Sequence, residues 1–277
     1  MYKTLRWPGF KVKALTLSYD DGVCYDKRLI EIFDKHGLKG TFNINSGSFG
    51  STPGGRRMTQ EECVELYKNS NHEVAVHGYD HMSLGEIDEG RICLDVIKDR
   101  DVLEKVFGRI IKGMAYANGS YNDKVVEVLK NCGINYSRTT LQTGNFSMPL
   151  DFLRLNPTCH HKNENLMEYA DKFLEYKDWA RAWPILFYVW GHSYEFNDND
   201  NWEIMENFAE KVGNKEDVYY ATNGEIFDYM QAYRRLIYSA DGYMVKNPSS
   251  IDVYLNISGE EVLVKAGEVA EIKTHRV

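Results

Sequence analysis

Residues 12–22 read Val-Lys-Ala-Leu-Thr-Leu-Ser-Tyr-Asp-Asp-Gly. The first six alternate apolar and polar side chains, the period-two pattern of a β-strand. The run then breaks at Asp20-Asp21-Gly22, a turn-forming triplet that reads as a loop. A strand that delivers two adjacent carboxylates into a loop matters because parallel α/β folds gather their chemistry where strands end and loops begin.

Working outward, helix and strand patterns alternate. Leu29, Ile30 and Phe33 recur at helical spacing and stop at Gly37; Gly40 to Ile44 reads as a second strand. Thr59 ahead of Glu61 and Glu62 is a helix start, and Glu73 to His77 is a short third strand. A long helix is predicted over 87–107, ended by Gly108, then a strand over 111–116 and a helix over 122–132. Ile134 to Arg138 and Phe152 to Leu155 read as strands, and 165–179 as a helix. Ile185 to Trp190 is a run of bulky apolar residues, as a strand buried on both faces requires. A helix near 202–212, a last strand at 218–221 and a helix over 223–238 complete the series. About seven strand–helix alternations make a parallel sheet, open or closed into a barrel. Past Tyr238 the texture changes: three period-two segments separated by glycine predict a small antiparallel β appendage. The expected division is therefore 1–238 and 239–277.

Composition narrows the function classes. The chain has 277 residues, 43% hydrophobic, enough to bury a large core. Its formal net charge is -8, with Lys and Arg scattered, which disfavours nucleic acid and anionic membrane as partners and suits a neutral ligand such as a sugar. There is no apolar run of membrane-spanning length and no secretory signal pattern, so a cytoplasmic location is expected. The five cysteines, at 24, 63, 93, 132 and 159, include no Cys-x-x-Cys pair, and are expected as reduced structural thiols.

Four groups sit at predicted strand ends. Asp20 and Asp21 point different ways off one backbone, so one can hold a metal while the other faces substrate; an ordinary Asp-Asp-Gly turn is the plainer alternative. His77 and His81 flank Gly-Tyr-Asp after the third strand, where a folded-back loop can turn both rings toward one ion. His192 follows the strand ending at Trp190, a place for a general acid or for a structural histidine. Ala-Tyr-Ala-Asn-Gly-Ser-Tyr, residues 115–121, is a loop whose backbone N–H groups can stabilise an oxyanion, or simply a turn capped by Asn122.

Taken in order, these motifs resemble the polysaccharide deacetylases, the carbohydrate esterase group that shares the NodB-type domain, over roughly residues 10–235. The family's Thr-Phe-Asp-Asp-Gly is here Ser18-Tyr19-Asp20-Asp21-Gly22, its His-Ser/Thr-x-x-His is His77-Gly78-Tyr79-Asp80-His81, and its late Leu-rich strand ending in His is Leu186 to His192. The resemblance implies a distorted (β/α) barrel of about seven parallel strands. It implies Asp21, His77 and His81 as ligands of a divalent metal, with zinc the default. It implies Asp20 as catalytic base, His192 as general acid and the Asn118 backbone N–H as oxyanion donor, in removing acetyl groups, N- or O-linked, from a carbohydrate. Two departures stand out. The Arg that steadies the base in the family's third motif is Ala115 here, and the Asp-Trp fourth motif, whose Asp orients the acid His, is missing. Arg154, His160 and His161 lie in about the right region to substitute or to touch substrate, and Tyr116 and Trp190 are further candidates for substrate contact. A sugar-binding pseudoenzyme, suggested by the missing Arg, and an Fe(II) oxygenase using two His and one carboxylate are the rival readings.

Overall fold

The structure, a computed structural model, describes residues 2–51, 56–179 and 182–272. In chain order the strands are β1 (Lys3–Arg6), β2 (Lys13–Asp20), β3 (Gly40–Ile44), β4 (Glu73–Val76), β5 (Gly113–Ala115), β6 (Tyr136–Arg138), β7 (Cys159–His160), β8 (Ile185–Gly191), β9 (Val218–Tyr220), β10 (Ile237–Tyr238), β11 (Met244–Lys246), β12 (Val253–Ile257), β13 (Glu260–Val264) and β14 (Val269–Glu271). The helices are α1 (Asp26–Lys35), α2 (Gln60–Tyr67), α3 (Glu89–Phe107), α4 (Asp123–Asn131), α5 (Leu166–Glu175), α6 (Tyr194–Asp198), α7 (Glu203–Val212) and α8 (Asn223–Arg234).

The opening strand is the centre of the molecule. All eight residues of β2 are buried. One edge pairs with β8 from Lys13 to Tyr19; the other pairs first with β9, over Lys13 to Leu15, and then with β3, over Leu17 to Asp20. The sheet runs β6-β5-β4-β3-β2-β8-β7, every pair parallel, and curls into a half-barrel. β9, beside β2, is one strand more than that path. The sequence patterns locate most elements. Thr59 and Glu62 form a reciprocal capping box at α2, Asn122 caps α4 by accepting from Val125 N at 3.0 Å, and α3 ends at left-handed Gly108.

Several elements differ from the sequence patterns. The helix read over 223–238 stops at Arg234, and Ile237–Tyr238 is strand β10, paired antiparallel with β11. Phe152 to Leu155, read as a strand, is a short 3₁₀ turn over Phe152–Arg154, because the Asp151 side chain accepts from Leu153 N at 2.9 Å and curls the backbone. The strand there is β7, only two residues long, and α6 is likewise too short to announce itself by periodicity. The C-terminal antiparallel β is present as expected, but in two small sheets, and β1 from the chain's start pairs antiparallel with β12. Residues 273–277 of the expected appendage lie outside the described residues.

The two faces of the big sheet are chemically unlike. Leu15, Leu17 and Tyr19 of β2 join Phe42, Val189 and helical side chains in the main apolar core. The inner face carries Thr16, Ser18 and Asp20, and the lumen is closed from below by the N-terminus of α8. There Asn223 accepts from Thr16 Oγ1 at 3.0 Å and donates to Tyr188 OH at 2.6 Å, while Gly224 N donates to Glu73 Oε2 at 2.9 Å. Such groups are costly to bury unless bonded to one another. A second apolar cluster, with Trp7, Tyr229, Leu255 and Ile257, fastens the antiparallel strands over α8. No helix among the described residues is long and apolar enough to cross a membrane.

Asp26, buried in the first turn of α1, ties three elements together. It accepts from Tyr67 OH of α2 at 2.7 Å and from Ser193 Oγ after β8. Burial pushes its carboxyl up to about 7, outweighing the relief from Ser193 and Tyr67. A carboxyl raised from 3.8 in the folded state stabilises the fold fully at low pH and loses that contribution as pH rises. The wild type's unfolding free energy from urea titration is therefore expected to fall relative to that of Asp26→Asn between about pH 4 and 7, by up to ~1.4 kcal/mol per pH unit. Parallel pH profiles of the two proteins would remove Asp26 as the cause.

Candidate functional site

The C-terminal ends of β2, β4, β5, β6 and β8 surround a cleft of about 370 Å³ lined by Asp20, Asp21, His77, His81, Tyr116, Asn118, Gly119, Arg138, Thr140, Trp190, His192 and Tyr194. The strand end of β2 explains how two neighbouring carboxylates part company. Asp20 is still in the extended strand, while Asp21 has a left-handed φ of 88°. Their side chains consequently serve different partners.

Asp20 is clamped inside the barrel. Arg138 Nη2, from β6, donates to Asp20 Oδ2, and Asn43 Nδ2, from β3, donates to Asp20 Oδ1 at 2.8 Å. The guanidinium also lies over the Trp190 ring, 4.2 Å from its centroid. Burial works to raise the Asp20 pKa, but the attractions of Arg138, His77 and His192 win and hold it well below the usual carboxylate range.

Asp21 faces the two histidines of the following motif. One ligand atom from each of Asp21, His77 and His81 lies within 4.8 Å of the others. His77 Nε2 is 3.8 Å, and His81 Nε2 3.5 Å, from Asp21 Oδ1. The tautomer of His77 follows from its other nitrogen, Nδ1, which lies 2.9 Å from the Ala115 carbonyl. A carbonyl only accepts, so Nδ1 carries the proton and Nε2 offers a lone pair. Burial holds this imidazole down at about 4, against the pull of Asp20 and Asp21, so it is neutral at ordinary pH. A neutral imidazole lone pair therefore faces carboxylate oxygens with no proton to share. Asp21 Oδ1 is buried and receives no hydrogen bond among the described residues, although Arg57 Nη1 makes an ion-pair contact at 3.0 Å. A carboxylate oxygen and imidazole nitrogens converging in this way fit a divalent cation.

The turn carrying these histidines is held from behind by α3. Asp99 Oδ2 accepts from His77 N at 3.1 Å, and Asp95 Oδ1 accepts from Asp80 N at 2.8 Å. Gly78 is needed there, with φ 82° and Asp95 Oδ2 only 2.7 Å from where a Cβ would sit.

On the opposite wall, His192 bridges Asp20 and Glu195: Nε2 is 3.8 Å from Asp20 Oδ2 and Nδ1 is 3.4 Å from Glu195 Oε2. Burial lowers the His192 pKa, but Glu195, Asp20 and Asp21 outweigh it and the net shift is upward. Glu195 also lies 3.2 Å from His160 Nε2, 3.2 Å from His161 Nε2 and 2.9 Å from Lys162 Nζ. These partners overcome its burial and hold its carboxyl far below the usual range. His160, His192 and Glu195 also lie close enough to hold an ion. But Lys162 N donates to His160 Nδ1 at 3.1 Å, which puts the ring proton of neutral His160 on Nε2, toward Glu195. That group is a proton-carrying network, whereas the Asp21 group is a lone-pair cage.

The structure thus brings together Asp20, Asp21, His77, His81, Asn118, Tyr116, Trp190 and His192. It places His160 and His161 behind His192, with His161 stacked on Phe196 at 4.1 Å. Arg154 does not line the cleft; it pairs with Asp123 and Asp151. Arg138 and Glu195 were not singled out from the sequence. Arg138 ends the strand read at 134–138, where a basic residue in a barrel interior is a signal, and Glu195 follows His192 at i+3 in a helix too short to predict.

A curled parallel sheet with carboxylates and imidazoles gathered at its strand ends defines an α/β protein with a metal-ready site. Residues 9–137 match the family model described as polysaccharide deacetylase. Over 95 residues it is 33% identical to the Arthroderma benhamiae protein named "Probable peptidoglycan-N-acetylglucosamine deacetylase", covering 34% of this chain and 20% of that one. Over 94 residues it is 30% identical to a chitin deacetylase of the same fungus, covering 34% and 24%. The matched region therefore spans a fifth to a quarter of those relatives. A Mycobacterium smegmatis structure named "putative polysaccharide deacetylase" shares the fold at TM-score 0.60 and 16% identity, covering 83% of this chain and 94% of that one. A carbohydrate esterase family 4 pseudoenzyme from Bacillus anthracis aligns at TM-score 0.50 and 16% identity, covering 81% and 68%.

Removing one partner from the buried pair leaves a charge without compensation. Arg138→Met is expected to destabilise the fold by about 3–5 kcal/mol in urea titration, and Asp20→Asn added to it to recover part of that loss. Additive losses in the double mutant would show that the two residues do not interact.

Proposed function

We propose that this chain is a metal-dependent hydrolase that removes acetyl groups from a carbohydrate, with Asp21, His77 and His81 holding the metal. The observation that carries the reading is the division of labour between adjacent carboxylates: Asp21 opens onto two imidazoles, and Asp20 is held apart from it by Arg138 and Asn43. Zinc is the first metal to test. Bound there, such a cation acidifies water and polarises an acyl oxygen.

The residues around it do the rest. Asp20, kept ionised by Arg138, accepts a proton from the attacking water. The backbone N–H of Asn118, in a left-handed turn at the cleft rim, supports the oxyanion. His192, whose proton affinity is raised by Glu195 and the two aspartates, donates to the departing amine or alkoxide. Arg138 and Glu195 do for the base and the acid what the third- and fourth-motif residues do in the family pattern. The relatives named for peptidoglycan N-acetylglucosamine and for chitin make an N-acetylated sugar polymer the first substrate to try. The pseudoenzyme reading rested on the missing Arg at position 115, and Arg138 removes that motive. The oxygenase reading gives Asp20 no task.

Asp20→Asn should lower acetate release from an N-acetylated oligosaccharide at least 10²-fold while metal content stays at one per chain. Unchanged turnover would take Asp20 out of the chemistry. His77→Ala should lose the metal, and a full equivalent retained after dialysis would break the ligand assignment.

A further inference from the structure

Away from the cleft, two cysteines meet between α3 and α4. Cys132 Sγ lies 3.8 Å from Cys93 Sγ. Cys93 is exposed on α3, whereas Cys132 is buried at the C-terminal end of α4. Their accessibilities suit two different tasks. An exposed thiol can meet a reagent from solvent, and a buried one adjacent to it can only meet its neighbour. Arg100, on the same helix as Cys93, donates from Nη1 to the Cys132 carbonyl at 2.7 Å, but burial and the neighbouring Cys93 outweigh its pull and push the Cys132 thiol up to about 12, so closure is the slow step. A disulfide needs the sulfurs at about 2.05 Å, so the two must close by roughly 1.8 Å.

The position of this pair is not incidental to the site. α3 carries Asp95 and Asp99, which hold the turn between His77 and His81 from behind. Cys93 lies on the exposed side of the same helix, two residues before buried Asp95.

We propose that Cys93 and Cys132 form a reversible redox modification site, in which a small-molecule disulfide such as oxidised glutathione converts them to an intrachain disulfide that staples α3 to the end of α4. The Cys93 thiolate attacks one sulfur of the reagent, whose S–S bond breaks and releases one glutathione thiolate. Cys132 then gives up its proton and attacks the Cys93 sulfur, breaking the mixed disulfide and releasing the second. Two protein thiols are oxidised by two electrons and one glutathione disulfide is reduced to two thiols.

The test equilibrates the folded full-length chain with increasing ratios of oxidised to reduced glutathione. It then quenches in acid, alkylates the remaining thiols and maps the peptides by mass. The expected result is loss of two of the five alkylatable thiols, recovery of a peptide joining Cys93 to Cys132, and a melting temperature a few degrees higher that dithiothreitol reverses. Five alkylated thiols, a cross-link elsewhere, or glutathione lodged on Cys93 without closure would each overturn the proposal, as would a lower melting temperature. Cys132→Ser should stop at one glutathione on Cys93; should that variant fold poorly, the wild-type peptide map decides alone. The measurement reads neither acetate nor metal, so it stands apart from the hydrolase reading.

Discussion

A buried ion pair across the barrel, Arg138 to Asp20, is the constraint on which the rest of the site depends. β6, which carries Arg138, lies at the far end of the sheet path, with β5, β4 and β3 between it and β2. A flat sheet would keep those two residues far apart. The contact exists because the sheet curls, so the pair both needs the half-barrel and fastens it. Two charges withdrawn from water are tolerated only with good geometry and further bonds. Asn43 supplies one to Asp20, and the Trp190 ring lies against the guanidinium. With Asp20 committed to the interior, the left-handed backbone at Asp21 turns the second carboxylate toward the histidines.

The same logic of protons sorts the histidines. The eight in the chain look alike in the sequence, yet their partners divide them. His77 donates to a carbonyl, which leaves a bare lone pair on Nε2 facing Asp21. His160 accepts from a backbone amide, which commits its ring proton to Glu195. His192 stands between the two sides with a carboxylate at each nitrogen, and retains its proton more firmly than an exposed imidazole. A candidate set of metal ligands and a histidine–carboxylate network thus face each other across one cleft.

Much of this was legible in the sequence because it rests on local pattern. The strand ending at Asp20-Asp21-Gly22, the His77–His81 spacing and the apolar run into Gly191-His192 each state their place without knowledge of the fold. So do the caps at Thr59 and Asn122, where side chains meet backbone three residues away. What stayed hidden is held by long-range contact. Arg138 is 118 residues from Asp20, and nothing near either residue marks the other as its partner. Glu195 sits in a helix of five residues, below the length at which periodicity speaks. Leu153 was assigned to a strand on apolar character, but the Asp151 cap overrode that preference. β1 lacked any cue because its partner, β12, lies some 250 residues away.

The floor of the barrel has a consequence for traffic. Asn223 and Gly224 seal the lower end with bonds to Thr16, Tyr188 and Glu73, so the lumen has no rear exit on that side. Whatever enters the cleft must back out the way it came. On the hydrolase reading proposed above, both products would then share one doorway, the mouth bordered by Tyr116, Asn118 and Trp190.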